Sequence, residues 1–461
     1  MNERLNSFYR ELKDKKVSFI GLGRSHRELL GMFAAKGAQV SLRDKRTREQ
    51  IGEEADRLEA MGIRLLLGEN YLEGLCSEDL LLRTPGMYYF HPALQQARQA
   101  GVAVTSEMEL FFDLCPCKIY AVTGSGGQKT TTSVIAELLK KQGYRVFLGG
   151  NIGFPLLPRI EQIEPQDRAV VELSSFQLIS MRRSPDVAVV TNVTPNHLDV
   201  HKDYQEYVDA KANIFTHQSP KDIAVFNADN ADSVTQAAKA VGEVRWFSRR
   251  KRVDNGVFCE NGVIYEAADG RVTPIMETKD ILLPGVHNVE NYMAAFAAVR
   301  GQVRYETMRE IAKTFGGVEH RIELIRPRDG VRWYNDSIAS SPSRTIAGLN
   351  SFPEKVILIA GGKDKGISYA PLGPVVNDRV KLLLLCGKTA GVIREAVEQA
   401  ENYHGLEILD VADYHEAVAI ADARSQPGDV VILSPASTSF DRFANFMERG
   451  QVFKAIVNEL K

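Results

Sequence analysis

A glycine-rich segment, Gly124-Ser125-Gly126-Gly127, separates the apolar run Ile119-Tyr120-Ala121-Val122 from a helical pattern, and this junction narrows the folds open to the chain. The apolar run reads as a buried strand. From Ser133 to Gln142, Val134, Ile135, Leu138 and Leu139 recur at helical spacing, so the glycines fall between a strand and a helix. That is a phosphate-binding position. Glycine lets backbone N–H groups curl around phosphate oxygens, and the helix N-terminus adds partial positive charge. A lysine that reaches the outer phosphates and a hydroxyl that holds Mg2+ complete such a loop, and Gln128, Lys129, Thr130 and Thr131 follow the glycines here. A plain glycine-serine turn beside a surface lysine would look the same over so short a stretch.

Short β-rich runs alternate with helical patterns along nearly all 461 residues, which implies an α/β protein with parallel sheets wrapped by helices. Three units are expected, at residues 1–112, 113–316 and 317–461. The first opens with the strand Lys16-Val17-Ser18-Phe19-Ile20, the loop Gly21-Leu22-Gly23-Arg24-Ser25-His26, a helix through Ala35, and a strand ending at Asp44. This is a dinucleotide-type fingerprint with its last glycine replaced by His26. An acid at the tip of the second strand is where a ribose hydroxyl is commonly held, although a purely structural turn has the same pattern. The second unit adds strands at Arg168–Glu172 and Val187–Thr191, a hairpin centred on Gly262, and a helix beginning near His287. The third has strands at Val356–Ile359, Lys381–Leu385 and Val430–Leu433.

A net charge of -2 gives no electrostatic reason to expect nucleic acid. The opening Met1-Asn2-Glu3-Arg4-Leu5-Asn6 lacks the basic-then-apolar order of a signal peptide, and no apolar stretch approaches membrane-spanning length. A cytoplasmic protein without membrane insertion is expected. Among the five cysteines, Cys115-Pro116-Cys117 has no matching Cys or His pair, which favours reduced thiols over disulfides or zinc. Polar groups cluster instead at expected strand ends: Glu172 to Gln177, Asn192 to Asp199, Asn227 to Asn230 and Gly285 to Asn288. Singly, each reads as a cap or turn. Beside a phosphate loop, a carboxylate and an imidazole at neighbouring strand tips are the ligands that Mg2+ needs in phosphoryl transfer.

The order and wording of these blocks resemble the ATP-dependent Mur ligases of peptidoglycan synthesis, and within them the D-glutamate-adding branch. The resemblance covers nearly the whole chain, through Gly149-Gly150-Asn151-Ile152-Gly153, Glu172 to Leu178, Asn192 to Asp199, Ala210-Lys211 and Gly285 to Asn291. It continues in His320-Arg321, Asn335-Asp336-Ser337, Gly361-Gly362, and Leu433-Ser434-Pro435-Ala436-Ser437 running to Arg449-Gly450. It implies a Rossmann-like domain for a UDP-linked substrate, a central P-loop ATPase-like domain, and a Rossmann-like C-terminal domain for the incoming amino acid. The implied reaction has the carboxylate of UDP-MurNAc-L-alanine attack the γ-phosphate of ATP, with Mg2+ present, to give an acyl phosphate that the amine of D-glutamate displaces.

Carried onto this sequence, the resemblance implies a catalytic set of Glu172, His197, Lys211 and Lys129. Glu172, His197 and Thr130 would hold Mg2+. Lys211 matches a lysine that is carbamylated, which turns a cation that repels Mg2+ into an anion that binds it; unmodified, it would be an ordinary helix-surface residue. Gly124 to Thr131 would bind the ATP phosphates, Asn288 and Asn291 the adenine, and Arg321 and Asp336 would lie on the nucleotide-facing edge of the last domain. Asn151, Ser174 and Gln177 would face the muramoyl substrate or its metal. Gly23 and Ser25 would lie near the UDP diphosphate, with Asp44 and Arg46 at the uracil and ribose. Arg24 and His26 replace small residues there and would crowd or additionally charge that pocket. Lys365, Ser439 and Phe446, with Ser340 and Phe440, would receive D-glutamate. The Asp-Asn-Pro-Arg signature of the diamino acid-adding branch is absent. Ile338 stands where many D-glutamate ligases carry lysine, leaving Lys363 or Arg344 to compensate.

The family pattern Gly-(Thr/Ser)-(Asn/Asp)-Gly-Lys-(Thr/Ser)-Thr, laid on without a gap, puts Gly126 at the Asn/Asp place, Gln128 at the lysine and Lys129 at the hydroxyl. A neutral amide would then replace the cation that stabilises the transferring phosphoryl group, and an ammonium would compete with Mg2+. One bulged residue would instead return Lys129 and Thr130 to the usual places while shifting the helix start. Both readings fit the sequence. With them stand two functions: a working ligase, expected to be a monomer, and a catalytically weakened relative that binds the UDP-linked substrate but uses ATP poorly. A nicotinamide dehydrogenase has only Gly21-Leu22-Gly23 behind it.

Overall fold

In the computed structural model, which describes residues 2–195 and 200–460, the strands gather into three sheets. The first contains β1 (Lys16–Ile20), β2 (Gln39–Asp44), β3 (Arg64–Leu67), β4 (Leu80–Arg83) and β5 (Ala103–Thr105) in the order β3-β2-β1-β4-β5. Every neighbouring pair is parallel. The strand order reverses between β1 and β4, so the loops leaving their C-terminal ends diverge and leave a crevice.

The second sheet contains β6 (Lys118–Thr123), β7 (Val146–Gly150), β8 (Arg168–Glu172), β9 (Val187–Val190), β10 (Ile223–Asn227), β11 (Glu243–Ser248), β12 (Gly256–Glu260), β13 (Val263–Ala268) and β14 (Arg271–Glu277). Their order is β14-β13-β12-β11-β10-β9-β6-β8-β7. Tyr120, Ala121 and Val122 are fully buried, as a central parallel strand covered on both faces requires. The expected hairpin is β12–β13, turned by Asn261 and Gly262, both at positive φ. β14 is absent from the strands expected for this unit. It pairs antiparallel with β13, carries Pro274 and is mostly exposed, so it has no apolar alternation to announce it.

The third sheet contains β15 (Glu323–Arg328), β16 (Val331–Asn335), β17 (Val356–Ala360), β18 (Val380–Leu385), β19 (Glu407–Asp410) and β20 (Val430–Leu433), ordered β15-β16-β20-β17-β18-β19. Only β15, paired with β16, runs antiparallel.

Three sheets make two compact units. Met1–Lys279 and Glu290–Ile311 form one, and Asp280–Val289 and Ala312–Lys461 the other. The first two sheets share a unit because the helix Glu107–Leu114 is apolar on more than one side: it buries Met108, Leu110, Phe111, Phe112 and Leu114 in one core with Leu156, Leu157 and Ile160. Its Glu107 carboxylate also accepts from the Leu156 and Leu157 N–H groups. The boundary expected after residue 112 falls inside this helix.

Candidate functional site

The helix Gln128–Gln142 follows β6 after four residues, and Gly127, left-handed at φ 80°, is the last of them. A Cβ there would lie 2.3 Å from Asn291 Oδ1, so glycine is demanded by both conformation and space. No bulge precedes the helix: Gln128 takes its first position, Lys129 its second and Thr130 its third. This start agrees with the ungapped register, in which Gln128 rather than Lys129 stands at the lysine's place and Lys129 rather than Thr130 at the hydroxyl's. The Gln128 amide folds back to donate to the Gly124 carbonyl. Asn192 Oδ1 accepts from the Ser125 and Gly126 N–H groups at 3.1 and 2.9 Å, and Thr191 Oγ1 donates to the Gly126 carbonyl at 2.6 Å. Asn291 accepts from Thr131 Oγ1 at 3.2 Å, which brings one of the two expected adenine contacts to the loop's helix. The Asn288 amide donates to the Pro284 carbonyl at 2.6 Å.

Glu172 ends β8, paired in register with Val122 of β6 and Gly150 of β7. Its Oε1 accepts from Asn151 Nδ2 at 3.2 Å. Lys211, on the helix Tyr204–Ala212, is no helix-surface residue: it is 3% exposed, and its Nζ donates to the Gly124 carbonyl at 2.6 Å and to Thr123 Oγ1 at 3.2 Å. Burial pushes its ammonium down to about 7, against the opposing pull of Glu172. Ser174 and Gln177 cap each other at the short helix Ser175–Leu178, Gln177 Oε1 accepting from the Ser174 N–H and hydroxyl, both at 3.0 Å. His197, another of the expected Mg2+ ligands, lies outside the described residues. Among the described residues, no cluster of three or more His, Cys, Asp or Glu side chains is arranged for a metal.

In the first sheet's crevice, Gly23, Arg24 and Ser25 line a cavity of about 250 Å³ together with Arg83, Asn151 and Gln177. Asp44, Arg46, Thr84, Tyr88 and His91 line a neighbouring one of about 530 Å³. Burial pushes the Asp44 carboxyl up, but Arg46 and the Leu22 N–H outweigh it and hold the group at about 2. The carboxylate oxygens thus already carry the glycine loop and the Arg46 guanidinium. His26 corrects the expectation of a crowded or additionally charged pocket. Its ring is fully buried, bonded through Nδ1 to the Gly21 carbonyl at 2.8 Å and packed edge-on against Phe19. Burial lowers it to about 4, so it is neutral, while Arg24 remains at the cavity wall.

In the second compact unit, Lys365 Nζ donates to Ser340 Oγ at 3.4 Å, which brings two of the expected D-glutamate residues together. Ser439 is buried, Phe440 is exposed, and Phe446 opens the helix Phe446–Glu459 with its ring against His320. Arg344 donates to the Ile338 carbonyl at 3.2 Å, and the Lys363 N–H pairs with the Thr438 carbonyl. Asp336 lies inside the fold, accepting from Ser434 Oγ at 2.8 Å and the Ile322 N–H at 3.3 Å, and burial raises its carboxyl to about 7. The sequence reading missed Asn192 as the loop's anchor and Arg449, whose buried guanidinium ties Ser337 to Ser437. Both lie in blocks that carry the family resemblance, Asn192 also at a strand end, but neither block says what the side chain holds.

A glycine loop at a helix start, with a carboxylate at an adjoining strand end and a buried lysine reaching the loop from a neighbouring helix, defines a nucleotide-dependent enzyme of the α/β class. The chain belongs to the Mur ligase family. Residues 15–106 match the Mur ligase MurD-like, N-terminal domain, residues 122–299 the Mur ligase middle domain, and residues 320–437 the Mur ligase, glutamate ligase domain. The chain is 50% identical to the UDP-N-acetylmuramoylalanine--D-glutamate ligase of Acetivibrio thermocellus and 47% identical to that of Ruminiclostridium cellulolyticum, each match covering 100% of both chains. Among solved structures, a UDP-N-acetylmuramate-alanine ligase from Thermotoga maritima superposes with a TM-score of 0.57 at 17% identity, covering 97% of this chain and 100% of that one. MurF from Acinetobacter baumannii gives 0.56 at 14% identity, covering 98% and 92%. At such identities these two speak for the fold alone.

Proposed function

We propose that this chain joins D-glutamate to UDP-N-acetylmuramoyl-L-alanine, using ATP, in peptidoglycan synthesis. The observation that carries this reading is identity of 50% to a ligase of that name over the full length of both chains. ATP supplies the phosphoryl group that activates the substrate carboxylate, and the amine of D-glutamate then closes the amide. The chain's own groups are suited to hold the participants. The crevice of the first sheet receives the UDP portion, with Asp44 fixing Arg46 and the glycine loop. Asn151, Ser174 and Gln177 orient the muramoyl portion, and Lys365, Ser340, Ser439, Phe440 and Phe446 receive D-glutamate.

Glu172 and a carbamate on Lys211, with His197, would hold Mg2+ and neutralise phosphate charge. The donor set fits. An amine lowered to about 7 is substantially neutral at physiological pH and so nucleophilic toward CO2. With 13C-labelled bicarbonate, the protein should give a carbamate carbon signal that disappears in Lys211→Arg; a wild-type protein without that signal would refute the modification. The protein is expected to act in the cytoplasm as a monomer; among the described residues, no helix is long and apolar enough to cross a membrane.

None of the relatives speaks for the alternative of a chain that binds the UDP-linked substrate and uses ATP poorly; its one motive is the helix start at Gln128, which leaves an amide at the lysine's place in the family pattern. Mass spectrometry of the product separates the two: the ligase reading requires a D-glutamyl adduct of UDP-MurNAc-L-alanine that does not form with ATP omitted.

A further inference from the structure

The helix Tyr204–Ala212 brings three contacts of different kinds to the site. Lys211 reaches the Gly124 carbonyl, and the Tyr207 hydroxyl shares a hydrogen bond with Ser125 Oγ at 2.8 Å. Glu206, one residue earlier, accepts from the Tyr88 hydroxyl at 2.7 Å, and Tyr88 belongs to the wall that also carries Asp44 and Arg46. The other oxygen of Glu206 lies 3.0 Å from His201 Nδ1, and His201 Nε2 lies 2.9 Å from Ser175 Oγ. A carboxylate only accepts, so Nδ1 carries a proton and donates to it, while Nε2 shares the second hydrogen bond with the serine hydroxyl. The His201 ring is buried, stacked on Phe176 at 5.2 Å with an interplanar angle of 7°, and edge-on to Tyr207 at 5.5 Å. From the other side, Arg83 donates to the Phe176 carbonyl at 3.0 Å and to Ser180 Oγ at 2.7 Å.

The turn Ser174–Gln177 is therefore gripped twice by the segment that lines the nucleotide crevice, once through Arg83 and once through Tyr88, Glu206 and His201. We propose that His201 is a positioning residue: with Glu206 it fixes the turn after Glu172 against the wall of the UDP crevice, so that the part of the substrate beyond the nucleotide is received in one geometry. This rests on the ligase reading for the identity of the substrate. A hydrogen-bonded chain of this kind acts through alignment, and small displacements of positioning groups cost binding and rate without touching the chemistry.

His201→Phe keeps the stack on Phe176 and removes both hydrogen bonds. Calorimetry should find UDP affinity unchanged within about twofold, with UDP-MurNAc-L-alanine weakened about tenfold. His201→Gln, whose amide reaches toward Ser175, should recover most of that loss, and adding Glu206→Gln to His201→Phe should cost nothing further, because the chain is already broken. Should His201→Phe not fold, Glu206→Gln alone carries the same comparison. Equal weakening of UDP and of the whole substrate, no weakening of either, or an additive double variant would each overturn the proposal. The comparison reads binding alone, so it stands apart from the mass spectrometry of the product that tests the ligase reading.

Discussion

At the residue scale, two departures from the family pattern come to opposite ends. His26 was legible as an odd residue in a glycine loop, but sequence spacing carries no record of burial, and its ring turns into the core. Its ordinary value is 6.5 and its folded value about 4, so between them the unfolded chain binds more protons than the folded one. Stability is then lost as pH falls from about 6.5 to about 4, by up to ~3 kcal/mol. Urea melts of His26→Asn, whose amide can still donate to the Gly21 carbonyl, should show a shallower acid loss than wild type; equal slopes would contradict the assignment. Buried Asp336 titrates in the opposite sense, and the difference between wild type and variant cancels it. Gln128 and Lys129 were equally legible, and of the two registers that fit them the helix start agrees with the ungapped one. Gln128→Lys with Lys129→Thr should tighten ATP·Mg2+ binding and raise kcat/KM about 10²-fold, as expected for restoring a charged group at a transferring phosphoryl. No gain would mean that the loop works as it stands.

At the scale of elements, the strand ends carried the most readable information. Glu172, Asn192 and Gly124 were all placed at C-terminal strand tips by apolar runs stopping short of polar residues, and the sheet order puts β6 between β8 and β9. The order itself was not legible, since nothing local says which strands become neighbours. Antiparallel strands escaped for another reason: β14 is mostly exposed and β15 only half-buried, so neither buries enough side chains for a period-two pattern. Lys211 shows the same limit on a helix, because nothing in Ala210-Lys211-Ala212 distinguishes a buried lysine from a solvated one. The most constrained backbone element is the turn into the helix Gln128–Gln142. Gly127→Ala should lower stability by about 1–3 kcal/mol, through left-handed strain and contact with Asn291, and weaken ATP while leaving UDP affinity intact. Thermal melts and calorimetry would read both, and an unchanged Tm would refute the constraint.

For the whole molecule, alternating strand and helix patterns were enough to foresee three α/β sheets, and ordered blocks along the chain were enough to place it among the Mur ligases. What the pattern concealed is that two sheets share a core, because the aromatic helix Glu107–Leu114 reads alike whether it serves one sheet or two. Each part of the ligase reading assigns one participant to one set of groups: UDP to the first crevice, ATP to the loop after β6, D-glutamate to the residues around Lys365. Such a division makes turnover conditional on every participant. The direct measurement is phosphate release by the purified chain with ATP, Mg2+, UDP-MurNAc-L-alanine and D-glutamate, followed by omission of each substrate in turn. The account predicts release with the full set and loss of release when either UDP-MurNAc-L-alanine or D-glutamate is left out; release that continues without both, or none with the full set even after lysine and threonine are restored at positions 128 and 129, would contradict it.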